Sequence, residues 1–399
     1  MARHYIIHYG ELALKGRNRI HFERRLVSNI RKALRDICDA EVQRFYSYLM
    51  VRVPETAPAE EVETRLSKVF GIAYIAPVTV VPQDMHAIEA AAAEIADGVI
   101  TEQTSFRIRT RRGDKQFPLT SPEVDRRVGS RVVAETRAPV DLESPDVTLN
   151  IQIYEDAAYL FVRRIPGARG LPIGSSGRVL VLFSGGIDSP VAAHLMMKRG
   201  CKVDFVHFHL LPTRERILDA KIVAMARRLL APHRTSGRLF MISSAPFEAA
   251  MAPLDARVAT VVFRRFIVRA AERVARYRRA PALVTGESVG QVASQTLQNI
   301  SLIARATDLP ILRPLVGMDK EEIVELAKEI ETFELSIQPY RDPCSLHAQN
   351  PATWPRLKEV LDVEKAIQVD SVLEETLSDH VEEIRITFED ENDSTSRPE

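Results

Sequence analysis

The chain has 399 residues, 45% hydrophobic and 27% charged, a balance that excludes fibrous and wholly disordered proteins and allows about two to four domains. Three cysteines, Cys38, Cys201 and Cys344, exclude a disulfide framework, and no apolar run approaches the roughly 20 residues of a membrane span, so a cytoplasmic protein of a reducing compartment, away from membranes, is expected. The zero net charge hides an asymmetry: residues 361–399 carry 13 acidic against 3 basic side chains, residues 1–360 carry 41 against 51, and a basic body points to a polyanionic partner.

The chain opens with a strand at 5–9, a turn at Gly10 and a helix over 18–36, where Phe22, Leu26, Ile30 and Ala33 or Leu34 line one face. A strand at 42–53 follows. The sequence PETAPAE at 54–60 marks an edge, which predicts a first domain over 1–58 and a second over 59–166. In the second, a helix from Glu61, a strand at 74–81, a helix at 85–95, a strand at 105–110, a helix at 122–137 and strands at 146–153 and 158–165 make a small α+β unit. Cations cluster at Lys15, Arg17, Arg19, Arg24 and Arg25, at Arg107, Arg109, Arg111, Arg112 and Lys115, and along the arginine-rich stretch 261–280. Each cluster reads equally well as a solvated face or as a polyanion contact.

Residues 167–177, rich in Gly and Pro, read as a linker. Beyond it strands at 179–183, 203–208, 239–242 and 282–285 alternate with helices at 189–199, 214–229 and 255–277. This alternation predicts a doubly wound parallel sheet with its ligand crevice at the carboxyl ends of the strands. The domain is expected to span 178–390, with one more strand within 379–390. An acidic tail at 391–399 is expected to be disordered.

The sharpest local feature is Leu182-Phe183-Ser184-Gly185-Gly186-Ile187-Asp188-Ser189-Pro190, set between a buried strand and a helix. Gly185 and Gly186 allow a tight turn, Ser184 and Ser189 offer hydroxyls, and the amides at a helix start attract an anion, so the segment can cradle pyrophosphate. It is neither the P-loop GxxxxGK[ST] nor the dinucleotide GxGxxG pattern. In TGESVGQVASQ, the carboxylate of Glu287 at a strand end can position Mg2+ or a basic partner. Asp319 and Glu322 fit a capping box, which explains the aspartate but not the adjoining Lys320. Cys344 lies in a Pro-rich loop, where a thiol is better placed for redox chemistry than Cys38 or Cys201, both of which read as buried.

Together with YGELALKGRNR at 9–19, FPLTSPEVDR at 117–126, VHFH at 206–209 and LRPLVGMDKEEI at 312–323, these runs resemble the tRNA 4-thiouridine synthetases, or tRNA sulfurtransferases, of the PP-loop superfamily. The resemblance is to the form lacking a C-terminal rhodanese domain. It implies an α/β fold whose PP-loop sheet follows a ferredoxin-like domain and a THUMP RNA-binding domain. The implied reaction adenylates O4 of uridine 8 of tRNA at the expense of ATP and Mg2+, after which persulfide sulfur displaces AMP. Carried over by position, Leu182, Phe183, Ser184, Gly185, Gly186, Asp188 and Ser189 form the nucleotide turn, with His207, Phe208, Arg264, Gly286 and Gln295 completing the set. On residues alone Phe208 reads as core and His207 as a polar rim residue. Asp188, Lys320 and Cys344 carry the chemistry, Lys320 by neutralising charge at the α-phosphate. No protein ligands are assigned to Mg2+.

The resemblance further suggests tRNA and a cysteine desulfurase as partners, a homodimer, and an association with thiamine biosynthesis. Pro343 stands where many family members carry a second loop cysteine, which leaves an external thiol to complete turnover. Two other readings share the turn: a PP-loop ligase or amidotransferase acting on a small molecule, and a catalytically inactive tRNA-binding protein. The basic first 165 residues disfavour the former. Asp188, Lys320 and Cys344 together disfavour the latter.

Overall fold

A computed structural model describes residues 2–218, 220–254, 257–292, 295–340, 343 and 354–388. The chain divides into two compact units, Met1–Gly170 and Leu171–Glu399, and the division falls inside the Gly- and Pro-rich stretch 167–177. The acidic tail expected at 391–399 and the loop cysteine Cys344 lie outside the described residues.

The first unit runs β1 (Ala2–His8), a short 3-10 segment, α1 (Arg19–Leu34), β2 (Glu41–Arg44), β3 (Leu49–Pro54), α2 (Ala59–Ser67), β4 (Tyr74–Val81), α3 (Met85–Val99), β5 (Phe106–Arg112), α4 (Ser121–Thr136), β6 (Val147–Ile153), β7 (Ala158–Phe161) and β8 (Ile165–Pro166). All its strands belong to one sheet, ordered β2-β3-β1-β4-β7-β6-β5, with β8 on β4. Strand β4 is the shared member: Tyr74 to Val78 pair with β1, and Thr79 to Val81 pair with β7. Helices α3 and α4 cover one face of the second half, where Ile88, Ala92, Val124, Val128 and Val132 pack on Phe106, Leu149, Ile151 and Leu160.

Three expectations change here. The strand expected over 42–53 is a hairpin, β2 and β3, with Glu41 opposite Arg52; Phe45 N–H donates to Tyr48 O at 3.0 Å, and the two rings stack 4.7 Å apart. No Asn-Gly or Asp-Gly pair announces that turn, so alternation alone read straight through it. The strand expected over 158–165 splits into β7 and β8. The edge at residue 58 is no structural break: α2 packs on α1, Arg65 pairs with Asp36 at 3.4 Å, and β4 hydrogen-bonds to β1, so the first module continues well past it.

The second unit runs β9 (Arg178–Leu182), α5 (Asp188–Lys198), β10 (Lys202–His209), α6 (Arg214–Leu218), α7 (Lys221–Leu230), β11 (Gly237–Ser243), α8 (Ala245–Met251), α9 (Ala259–Tyr277), β12 (Leu283–Val284), α10 (Leu297–Ala304), β13 (Ile311–Leu312), α11 (Lys320–Glu329), α12 (Phe333–Ser336), α13 (Leu357–Ala366), α14 (Val369–Asp379) and β14 (Val381–Ile386). Its sheet order is β13-β12-β9-β10-β11-β14. Every pairing is parallel except that of β14, which closes the β11 edge antiparallel. This is the doubly wound arrangement expected from the alternation. The order reverses at β9, between β10 and β12, which is where such sheets open a ligand crevice.

The helix expected over 214–229 is two helices, α6 and α7, and the one expected from 255 is formed from Ala259. Helix α9 anchors the core through Phe263 and Phe266, which meet Phe247 at 5.0 and 4.9 Å between ring centroids. Truncating any of these three buried rings to Ala would cost about 3 to 5 kcal/mol.

Candidate functional site

The site is built where β9 ends. The last residues of β9 pair with β10, Phe183 N–H donates to Val206 O at 2.8 Å, and the Phe183 ring is buried against Phe205. The chain then turns through Ser184, Gly185 and Gly186 into α5. The Ser189 hydroxyl ties the turn together: it accepts from Ser184 N–H at 2.9 Å and lies 3.2 Å from Ser184 O and from the Ser184 hydroxyl. Ser189 therefore shapes the turn. Helix α5 has no side-chain cap at Ile187, so its positive end faces the turn without a protein carboxylate bonded to it as cap.

Two glycines are required by close approach. A Cβ on Gly185 would lie 2.8 Å from Tyr340 Cδ1 and 3.0 Å from Lys221 Cε. A Cβ on Gly286 would lie 2.8 Å from the Asp188 carbonyl carbon and 2.9 Å from Ser189 N, both backbone atoms. Gly286 follows β12 by two residues, so its missing side chain lets that strand end touch the start of α5. Gly186 meets only Ser184 Oγ at 3.6 Å.

Asp188, first residue of α5, is held from two sides. Lys320 Nζ donates to its Oδ1 at 2.6 Å, and Gln291 Nε2 donates to its Oδ2 at 2.9 Å. Lys320 is the first residue of α11, whose start carries the capping box expected from sequence: Asp319 accepts from Glu322 N–H, and Glu322 accepts from Asp319 N–H. The lysine side chain remains 46% exposed, so its ammonium can exchange partners without a large desolvation cost.

The Gly-Glu-Ser turn binds a basic partner. Buried Glu287 accepts from Arg264 at 2.9 Å, Arg313 at 2.7 Å and the Thr285 hydroxyl at 3.0 Å. Arg264 is thus brought to the crevice wall with its guanidinium engaged on Glu287. Its neighbour Arg265 is 3% exposed and bonds Glu364 and Leu302 O. Part of the arginine-rich stretch 261–280 is spent on ion pairs, since Arg269, Arg276 and Arg278 also meet carboxylates. Gln295 shapes the intervening loop: its Oε1 accepts from Ser288 N–H at 3.3 Å and its carbonyl from Gly290 N–H at 3.0 Å.

His207 and Phe208 are both buried, which corrects the rim position read for His207 from residues alone. Phe208 packs edge-on to Phe263 and Phe266 in the core. His207 Nδ1 lies 2.7 Å from Phe183 O and its Nε2 lies 2.7 Å from the Tyr340 phenol. Tyr340 and Lys221 flank the turn and were not singled out in the sequence. No local motif marks them, because their partners are more than 100 residues away.

Among the described residues no group of three or more His, Cys, Asp or Glu side chains could hold a metal ion. The two crevice carboxylates, Asp188 and Glu287, already bind cationic or amide partners. A Mg2+ ion would therefore depend on nucleotide phosphates for most of its ligands. The described cysteines are poor nucleophiles: burial pushes the Cys201 thiol up, and burial with Asp39 does the same for Cys38.

In the first unit, β5 alternates Ile108 toward the core with Arg107, Arg109 and Arg111 on the opposite face, and Arg109 and Arg111 are exposed. Burial holds His8 down to about 4, with Arg111 and Arg164 adding to the shift. A groove of about 1230 Å³ on the first module is lined by Arg24, Arg31, Lys32, Arg35, Arg44 and Arg52.

A serine-glycine-glycine turn without a P-loop lysine, at the switch point of a parallel sheet, defines a PP-loop nucleotide-binding protein, here carrying an N-terminal α+β unit. The thiamine biosynthesis protein (ThiI) family matches residues 174–369, its ferredoxin-like domain matches 4–76 and the THUMP domain matches 82–163. A probable tRNA sulfurtransferase of Brevibacillus brevis is 40% identical over 95% of this chain and 96% of its own, and one of Moorella thermoacetica is 39% identical over 93% and 95%. A crystal structure of a 4-thiouridine synthetase–RNA complex with bound ATP superposes with a TM-score of 0.84 at 30% identity, covering 97% of this chain and 100% of that one. The chain belongs to the ThiI family.

Proposed function

We infer that the protein is an ATP-dependent tRNA sulfurtransferase that makes 4-thiouridine, acting on uridine 8. The observation that carries this reading is the Lys320–Asp188 pair, which sets an exchangeable ammonium beside an anion-binding turn at the mouth of a parallel sheet. The THUMP and ferredoxin-like matches, and the ATP and RNA held by the similar synthetase, support tRNA over a small-molecule acceptor.

In the first step O4 of uridine attacks the α-phosphorus of ATP; the O4–P bond forms as the N3 proton is lost to solvent, the bond to the β-phosphate oxygen breaks, and pyrophosphate leaves with its electron pair. Lys320 moves from Asp188 toward the charge growing at the α-phosphate, a transition-state interaction worth a few kcal/mol. In the second step the terminal sulfur of a persulfide on Cys344 attacks C4, the C4–O bond breaks, and AMP departs. The product is a C4–S–S–Cys344 link. A small thiol or a thiol of a partner protein attacks the Cys344 sulfur and its proton goes to N3 of the departing base, releasing 4-thiouridine and leaving a mixed disulfide that a second thiol reduces. A cysteine desulfurase as sulfur donor, a homodimer and a cytoplasmic location complete the reading.

The chain geometry supports the assignment of Cys344. It follows Tyr340 by four residues, a tether of at most about 14 Å, and Tyr340 touches the nucleotide turn. The test supplies ATP, tRNA, cysteine desulfurase, cysteine and a thiol reductant, and follows pyrophosphate and 4-thiouridine together. Wild type should yield AMP and pyrophosphate only with tRNA present, and Cys344→Ser should retain pyrophosphate release while losing the thionucleoside. ADP with inorganic phosphate as the tRNA-dependent products, or normal thiolation by Cys344→Ser, would overturn it.

A further inference from the structure

Five contacts converge on the chain from Ser336, the end of α12, to Tyr340. Lys221 Nζ donates to Ser336 O and to Gln338 O, each at 2.8 Å, across 115 and 117 residues of chain. The same ammonium stands 5.6 Å from the centre of the Tyr340 ring. That ring lies over Gly185, its Cδ1 2.8 Å from where a Cβ would sit, and its phenol reaches His207. Because Phe183 O can only accept, His207 Nδ1 carries a proton, and in the neutral imidazole Nε2 accepts from the Tyr340 hydroxyl. A directed chain of hydrogen bonds thus runs from Tyr340 through His207 to the carbonyl of the residue that opens the nucleotide turn.

These contacts are more than packing requires. Lys221 makes charge-assisted bonds to the carbonyl of Ser336, the last residue of α12, and to that of Gln338 just beyond it, at a helix end where a cation is electrostatically favoured. Its position, first in α7, instead sets the ammonium at the unfavourable end of its own helix dipole. The lysine is therefore placed against its local preference and held there by the segment it binds. The polypeptide leaving Tyr340 is the one that carries Cys344.

We propose that Lys221 and Tyr340 are positioning residues that fix the start of the cysteine-bearing segment on the nucleotide turn and so couple sulfur transfer to adenylation. The proposal rests on the sulfurtransferase reading above. An adenylated uridine held without sulfur in reach is open to water. Water oxygen attacks phosphorus, the O4–P bond breaks, uridine is regenerated with the proton from water, and AMP is lost without product. Misplacement by about 1 Å is enough to lower a positioned transfer up to about 100-fold, whereas attack by solvent needs no positioning. Loss of the anchor should therefore raise the ratio of AMP formed to 4-thiouridine formed.

The experiment uses the full chain with tRNA, ATP, a cysteine desulfurase, cysteine and reductant, and measures AMP and 4-thiouridine in one reaction. Wild type should give a ratio of about one. Lys221→Met and Tyr340→Phe should raise it about 5- to 10-fold, and Lys221→Arg, which can still donate to two carbonyls, should restore most of the coupling. Tyr340→Phe keeps the ring over Gly185, so it tests the hydrogen bond without emptying the site. A ratio unchanged in both variants, whether both products fall together or neither falls, overturns the positioning role while leaving the functional reading intact. Wild type that releases no pyrophosphate with tRNA overturns that reading, and the positioning role with it.

Discussion

Lys320 and Asp188, 132 residues apart in the chain, are each the first residue of a helix, and their side chains meet at 2.6 Å. The aspartate suits the positive end of a helix and the lysine does not. The pair resolves that conflict in the resting protein and leaves the ammonium ready for a stronger anion. Replacing Lys320 by Ala should lower tRNA-dependent pyrophosphate release about 100- to 1000-fold. Thermal stability should stay within about 0.5 kcal/mol, since an exposed ion pair contributes little and the helix start is relieved of a misplaced charge. A large fall in melting temperature accompanying the loss of activity would point to a structural lysine instead.

Gly286→Ala sets a methyl carbon within 2.8 and 2.9 Å of backbone atoms of Asp188 and Ser189. Backbone cannot rotate away as a side chain does, so the start of α5 must shift and carry the nucleotide turn with it. We expect a loss of about 1 to 3 kcal/mol in stability and, in steady-state kinetics, a KM for ATP raised about tenfold or more. An unchanged KM would show that the turn tolerates displacement.

Arg109 and Arg111 project from β5 on the face opposite its helices. If they meet tRNA phosphates, replacing both by Ala weakens tRNA binding with little regard to base sequence. The slope of log affinity against log salt then falls by about 0.7 to 0.9 for each phosphate that is no longer neutralised. Filter binding over a salt series reads this directly. Equal slopes for wild type and variant would move the RNA-binding surface elsewhere, with the groove bearing Arg24, Arg31 and Lys32 the next to test.

Local chemistry was legible in the sequence wherever it was settled within a few residues. The turn from Ser184 to Ser189, the capping box of Asp319 and Glu322 and the alternating strands of the second unit all follow from short-range rules. The hairpin of β2 and β3 was not legible, because its turn is closed by Phe45 and Tyr48 and not by glycine. Arg264 and Arg265 look alike in the chain, yet one faces the crevice and the other is buried on Glu364, a distinction fixed by a helix 99 residues away. Lys221 and Tyr340 escaped notice for the same reason.

His8, His194 and His209 are each held down to about 4, chiefly by burial. An unfolded histidine takes up its proton near pH 6.5, while these three resist until about pH 4, so the unfolded chain binds more protons throughout that window. Stability is accordingly full above about pH 6.5 and falls as pH drops toward 4, by up to about 1.4 kcal/mol per pH unit for each histidine. Thermal denaturation of the full chain at pH 7, 6 and 5 should show a steadily falling midpoint. A midpoint that held constant or rose on acidification would contradict the burial of these rings.

Strand β4 hydrogen-bonds with one half of its length to β1 and with the other to β7. Here a cut on either side of β4 strands a row of unpaired amides and carbonyls on the piece that loses it, and such raw edges invite aggregation. The ferredoxin-like and THUMP parts of this chain are therefore joined through one strand, and separating them would require rebuilding a sheet edge.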